Sequence, residues 1–177
     1  MRDRVLVAAA KAFSRAGYDA VGIREISMMA DTDPAIVIRL FGSKAALFEA
    51  LAENAFGSEE VFQGPLETLG LRLATHLMLP IPPSDSGESD DFHLLLRSAT
   101  SLTAAPILSA ALHRALVEPL GRRIGGGDGT VRAALVTAQV LGFATLRFAL
   151  GSAAIEGADQ SATTDRLART IQLCIDG

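Results

Sequence analysis

The run Asp31-Thr32-Asp33-Pro34, closely followed by Gly42-Ser43, constrains the fold more than any other feature of this sequence. Its last pair reads as an aspartate N-cap with proline at the first helical position, where a missing N–H costs nothing. The helix so started runs through Leu40 and stops at Gly42, and Ser43 can cap the next one, from Lys44 onward. Upstream, Ile23, Ile26 and Ala30 make a two-turn apolar stripe. Before them, Val5, Leu6, Ala9, Ala12 and Phe13 recur at helical spacing and Ala16-Gly17 closes the segment. Downstream, Leu47, Phe48 and Leu51 share one face. Four helices thus fit into the first 55 residues.

Beyond Gly57 the pattern stays helical. It predicts a helix over Glu60–Met78, disturbed near Gly64-Pro65, then a loop from Pro80 to Gly87. A short helix follows over Phe92–Ser101, then a longer one with Pro106 in its first turn that ends near Ile124. Segments Thr130–Ser152 and Thr164–Asp176 complete the chain. Hydrophobic residues are 49% of the chain and aromatics only 5%, so Ala, Leu, Val and Ile supply the core, which favours helices over a β-sandwich. The expected fold is all-α with about nine helices: a three-helix head over 1–45 and a helical body over 46–177.

The single cysteine, Cys174, excludes an internal disulfide framework and a cysteine-rich zinc site, suits a reducing cytoplasm, and reads as a small core residue. Nothing at the N-terminus reads as an export signal. The most membrane-like stretch, Ala133–Ile155, is interrupted by Gln139 and Arg147 and reads as a buried helix, so no membrane partner is expected. His76, His93 and His113 lack metal-ligand spacing, and neither a GxSxG motif nor a glycine-rich phosphate loop is present. No enzyme and no cofactor are expected.

Net charge is −4, but it is unevenly spread: residues 1–55 hold seven basic and seven acidic side chains, the rest nine and thirteen. A neutral head is a weak electrostatic partner for phosphate. Its helices nevertheless follow the helix-turn-helix plan, two short helices around a tight turn braced by flanking apolar ones.

The residues Ala16-Gly17-Tyr18-Asp19-Ala20, Ile23-Arg24-Glu25-Ile26-Ser27 and the run from Asp33 to Phe48 resemble the DNA-binding domain of the TetR family of regulators, from about Val5 to Leu51. Phe41, Ser43, Lys44 and Leu47 fall where that family has its phenylalanine, small residue, lysine and leucine. The resemblance implies a DNA-contact set of Arg24, Thr32, Ala35, Ile36, Arg39, Leu40, Ser43 and Lys44. Lys44 and the local amides would meet a phosphate, and Arg24 and Arg39 a phosphate or base edge, unless Arg24 pairs with Glu25 or Asp33 instead. Phe13, Ile26, Ile36, Phe41 and Leu47 would be core. Four departures stand out, one of them Ile38, apolar where a polar residue could touch bases. Gly22 replaces the usual Thr or Ser cap, Asp31 the turn glycine and Leu40 a tyrosine, and the Asp31 charge opposes DNA.

Segments around Arg97-Ser98-Ala99, Leu116-Val117-Glu118-Pro119-Leu120 and Val131–Val136 resemble C-terminal domains of actinobacterial members. That implies a cytoplasmic homodimer formed through the last two helices, with Ala133, Ala134, Ala138, Gly142 and Ala149 allowing close approach. It also implies a double-stranded, roughly palindromic DNA operator and a small-molecule effector. Candidate effector-lining residues are Phe62, Leu73, His76, Leu77, Phe92, Leu96, Leu112, Phe143 and Arg147. A buried Arg147 guanidinium demands a partner: a carboxylate across the dimer such as Glu156 or Asp159, or an acidic ligand. The expected function is a DNA-binding regulator, a repressor released by its effector. The alternative is a TetR-fold dimer that binds a ligand or protein with weak or no DNA binding.

Overall fold

Helix-capping chemistry decides where the N-terminal elements begin and end in the computed structural model, which describes residues 1–56, 62–80, 93–94 and 96–177. Helix α1 (Arg2–Ala16) ends on Gly17 at φ 78°, whose N–H donates to Phe13 O at 2.8 Å. A Cβ on Gly17 would lie 2.8 Å from the Arg97 carbonyl oxygen, so both the backbone and the space demand glycine. Helices α2 (Ile23–Met29), α3 (Pro34–Phe41) and α4 (Lys44–Phe56) follow as the sequence predicts.

The chain divides into two compact units. The first comprises residues 1–57 and 82–112 and adds helix α6 (Ala104–Leu112) to α1–α4. Its core gathers Val5, Ala9, Phe13, Ile26, Val37, Leu47 and Phe48. Phe13, Tyr18 and Phe48 meet ring to ring at 5.0–5.8 Å, within the range of favourable aromatic pairs. One expected core residue is corrected. On α3 it is Val37, wholly buried, that faces inward, with the half-buried Phe41 packed against the core and Ile36 only half-buried; Ile36-Val37-Ile38 is apolar throughout, so hydropathy alone cannot phase a helix this short. Ser101 joins the α1–α2 loop to α6: its Oγ donates to Asp19 Oδ1 at 3.0 Å and accepts from Ala104 N at 3.1 Å.

The second unit comprises residues 58–81 and 113–177. Helix α5 (Leu69–Met78) follows a 3-10 turn, Leu66–Thr68, and is shorter than the expected Glu60–Met78, because Pro65 is extended at φ −63°, ψ 142°. The predicted long helix is found as α6 in the first unit and, in the second, a π-turn, His113–Val117, followed by α7 (Glu118–Ile124). Pro119 explains the π-turn: it donates no N–H and would clash with the carbonyl one turn back, and widening that turn relieves both. Helix α8 (Gly129–Ala144) continues into a second π-turn, Thr145–Ala149. The short α9 (Ala153–Glu156) was not foreseen, and α10 (Gln160–Asp176) starts before Thr164 because Asp159 Oδ1 caps Ala162 N at 2.9 Å.

Helix α5 packs along α10, and Gly70 sets how closely: a Cβ there would lie 2.5 Å from Ala168 O and 2.9 Å from Gln172 N. Gln172 stitches the pair, accepting from Gly70 N at 3.0 Å and donating to Leu66 O at 3.2 Å. Gly129–Ala149 is the one helix among the described residues long and apolar enough to cross a membrane by length and composition, and only 28% of its apolar stretch is buried. That corrects the expectation of a buried helix. Val131, Leu135 and Leu146 lie open on it, and Leu150 just past its end, since apolarity does not distinguish a core face from one awaiting a partner. Cys174 is half-buried rather than core.

Candidate nucleic-acid interface

Two short helices can present side chains to a groove only if the turn between them is rigid, and this turn is held by three consecutive backbone N–H groups. Ala30 N–H donates back to Ile26 O, Asp31 N–H to Met28 O and Thr32 N–H to Ser27 O, at 2.9–3.2 Å. Asp31 stands at φ 48°, the left-handed conformation that its position in the turn requires. Asp33 Oδ1 accepts from Ala35 N at 2.7 Å with Pro34 at the first helical position, and Ser43 Oγ accepts from Ala46 N at 3.1 Å to start α4. The predicted caps are all in place. Gly22 starts α2 without a side-chain cap, as its lack of side chain dictates.

One residue in this device escaped the sequence reading. The Arg4 guanidinium, through Nη2, donates to Ala30 O at 3.0 Å and Asp31 O at 2.9 Å, clamping α1 onto the strained turn. Nothing in the sequence connects positions 4 and 31, unless the substitution of Asp for a turn glycine is itself taken to require a compensating contact. Arg2 lies with its guanidinium carbon 4.8 Å from the Phe41 ring centroid and so covers the end of α3.

The expected DNA-contact residues divide by exposure. Arg24, Ala35, Arg39 and Ser43 are exposed; Thr32, Ile36, Leu40 and Lys44 are half-buried. Leu40 packs against the core of its unit. Arg24 and Arg39 have no ion-pair or hydrogen-bond partner among the described residues, so the alternative pairing of Arg24 with Glu25 or Asp33 does not form. Lys44 is employed inside the fold. Its Nζ donates to Tyr18 O and Val21 O, both at 2.9 Å, and stands 4.2 Å from the Tyr18 ring centroid. Two of its three N–H donors therefore hold the α1–α2 loop, and one is left for another acceptor. Burial, and then the Asp19 carboxylate, push the Tyr18 phenol above its ordinary pKa.

In the second unit, Leu73 and Leu77 are buried in the core, His76 is exposed, and Phe62 and Phe143 are half-buried. Leu96 and Leu112 belong to the first unit and are half-buried, and Phe92 lies outside the described residues. Arg147 is half-buried, and within the chain its Nη1 donates to the Leu77 carbonyl near the end of α5, with Phe148 beneath the guanidinium at 5.2 Å and, among the described residues, no ion pair to Glu156 or Asp159 of the same chain. A helix C-terminus has unpaired carbonyls to offer, whereas Asp159 is occupied as the α10 cap. Among the described residues no three His, Cys, Asp or Glu side chains converge to hold a metal.

This chain matches the description "Bacterial regulatory proteins, tetR family" over residues 5–51 and "Tetracyclin repressor-like, C-terminal domain" over 67–175. Among solved structures it is similar to a TetR-family regulator from Streptomyces coelicolor, at 28% identity and TM-score 0.64 over 99% of this chain and 94% of that one. It also resembles NalD, the secondary repressor of the MexAB-OprM multidrug efflux pump in Pseudomonas aeruginosa (14% identity, TM-score 0.71, 96% of this chain and 95% of that one). A third likeness is a TetR-family transcriptional regulator from Rhodococcus sp. (17% identity, TM-score 0.69, 98% and 97%). None of the curated proteins matches the chain.

Proposed function

Since this chain belongs to the TetR family of bacterial regulatory proteins, and is a DNA-binding transcription regulator rather than an enzyme, we propose that it is a repressor released from a palindromic operator by a small molecule. The observation that carries the DNA half of this reading is the pair of unpartnered, exposed guanidiniums, Arg24 and Arg39, on the two helices of a fully capped turn. Guanidinium can take a phosphate or the O6/N7 edge of guanine with two parallel hydrogen bonds. The functional division follows the head over 1–45 and the body over 46–177, with the complex residing in the cytoplasm.

Regulators of this family bind operators and effectors as dimers. Here the dimer forms through α8 and α10, a reading supported by the open apolar face of Val131, Leu135, Leu146 and Leu150 and by Leu173 on α10. Ala134, Ala138 and Gly142 are exposed on the same helix and permit close approach. Effector contacts fall to the half-buried Phe62, Phe143 and Arg147 rather than to the closed-off Leu73 and Leu77. Binding there shifts a two-state equilibrium that sets the operator affinity.

A second reading, the same fold with little grip on DNA, is favoured by one observation: Arg2, Arg4 and Lys44 are turned to partners within the fold. Fluorescence anisotropy separates the two. Duplex from upstream of the protein's own gene should bind more tightly than random duplex, and Arg39→Ala should cost that preference about 1–3 kcal/mol. Equal binding to both duplexes would establish the second reading.

A further inference from the structure

On α3 the wholly buried Val37 marks the inward pole. At 100° per residue Ala35 and Arg39 lie nearly opposite it, with Ile38 on one flank and Ile36 on the other. Exposure agrees: Ala35 and Arg39 are open, Ile38 is 43% exposed and Ile36 is half-buried. Of the side chains that this helix turns outward, only Arg39 carries hydrogen-bonding groups, and it is unpartnered among the described residues.

An apolar side chain in a major groove can neither accept from cytosine N4 nor donate to guanine O6 and N7, so it would bury those groups unpaired. The one apolar group the groove offers it is the thymine C5-methyl. Resting on the DNA-binding reading above, we infer that Ala35 and Ile38 read thymine methyl groups beside a single guanine taken by Arg39. Each operator half-site then has thymines, on either strand, next to one G·C pair, and its specificity comes more from methyl contacts than from hydrogen bonds. Met28, 76% exposed on α2, adds a further apolar side chain to the exposed surface of the motif.

The test uses the full chain and a duplex enriched by repeated selection from a random pool built with thymine. The enriched duplex is then resynthesised with deoxyuridine replacing thymine at one position at a time, which deletes only the methyl, and affinity is read by anisotropy at fixed salt. Burying a methyl predicts a weakening of about fourfold at each contacted position. In Ile38→Ser the penalty at one of these positions should disappear, while the thermal melt of the protein stays in place. Uniform affinity within twofold for every deoxyuridine duplex overturns the methyl readout while leaving DNA binding intact. Failure of any duplex to enrich overturns the DNA-binding reading and this inference with it.

Discussion

Arg4 offers the sharpest test of how the turn works, because two changes at positions 27 residues apart should compensate one another. Arg4→Ala removes two charge-assisted hydrogen bonds from Nη2, one part-buried and one exposed. Gross gains of this kind reach about 1.5–3 kcal/mol when desolvated, but exposure weakens one of them and ordering the arginine side chain opposes both, leaving a net of about 1 kcal/mol. With m near 2 kcal/mol/M that is a fall of about 0.5 M in the urea midpoint followed by circular dichroism. The consequence for DNA binding is of similar size per head. Without the clamp, the left-handed conformation of Asp31 is disfavoured by about 1 kcal/mol, so the binding-competent turn is populated about one part in six and affinity falls about sixfold per head.

Asp31→Gly should undo that loss, since glycine occupies the left-handed region as readily as the right-handed one. In the double variant, affinity returns toward the parent's although the positive charge of Arg4 is still absent. Arg4→Lys keeps the charge and should retain part of the clamp. If Arg4→Ala and the double variant bind equally poorly, the arginine acts through its charge alone and the clamp argument fails. An unchanged urea midpoint in Arg4→Ala would show that its hydrogen bonds contribute nothing to the fold.

Gly70→Ala should cost about 2–3 kcal/mol and lower the melting temperature, because the new methyl meets backbone atoms of α10 that cannot move aside singly; an unchanged melt would mean that α5 and α10 separate freely. Leu135→Asp combined with Leu150→Asp should convert the dimer to monomer in sedimentation experiments, and a persisting dimer would locate the interface elsewhere. Tyr18 has its pKa raised in the fold, so its contribution is complete below the unfolded value near 10 and is lost as pH climbs through the higher folded value. Urea midpoints should therefore decline above about pH 10, and Tyr18→Phe should flatten that alkaline limb.

What could be read in advance was what acts over a few residues. Asp33 reaches Ala35 N, Ser43 reaches Ala46 N and Gly17 closes α1, and each of these leaves a mark at fixed spacing in the sequence. The missed features join distant positions: Arg4 with Asp31, Ser101 with Asp19, and Gln172 with Gly70, 102 residues away. Such pairs leave no periodic trace. Arg147 shows the same limit, because a guanidinium can be satisfied by a backbone carbonyl, which every residue has and no sequence pattern reveals. For the open face of α8 the signal was present but ambiguous, since an apolar stripe looks alike whether its cover is the same chain or a second copy.

Charge in the head follows the same division between local and distant. By composition the first 55 residues are balanced, seven basic against seven acidic, and that balance alone argues against DNA. The structure changes what the basic residues are for. Arg2 and Arg4 brace α3 and the turn, and Lys44 holds the α1–α2 loop with two of its donors, so these three cations act mainly by keeping the reading surface rigid. The other four of the seven, Lys11, Arg15, Arg24 and Arg39, are left exposed, and of these only Arg24 and Arg39 stand on the two helices of the motif. Since each neutralised phosphate contributes a slope of about −0.9 to the dependence of log affinity on log salt, a head with two free cations on the motif and two on α1 should bind with a shallow slope. On the proposed methyl readout, discrimination comes from how well a rigid, largely apolar helix fits the groove, so loosening the turn should cost more than removing a surface charge.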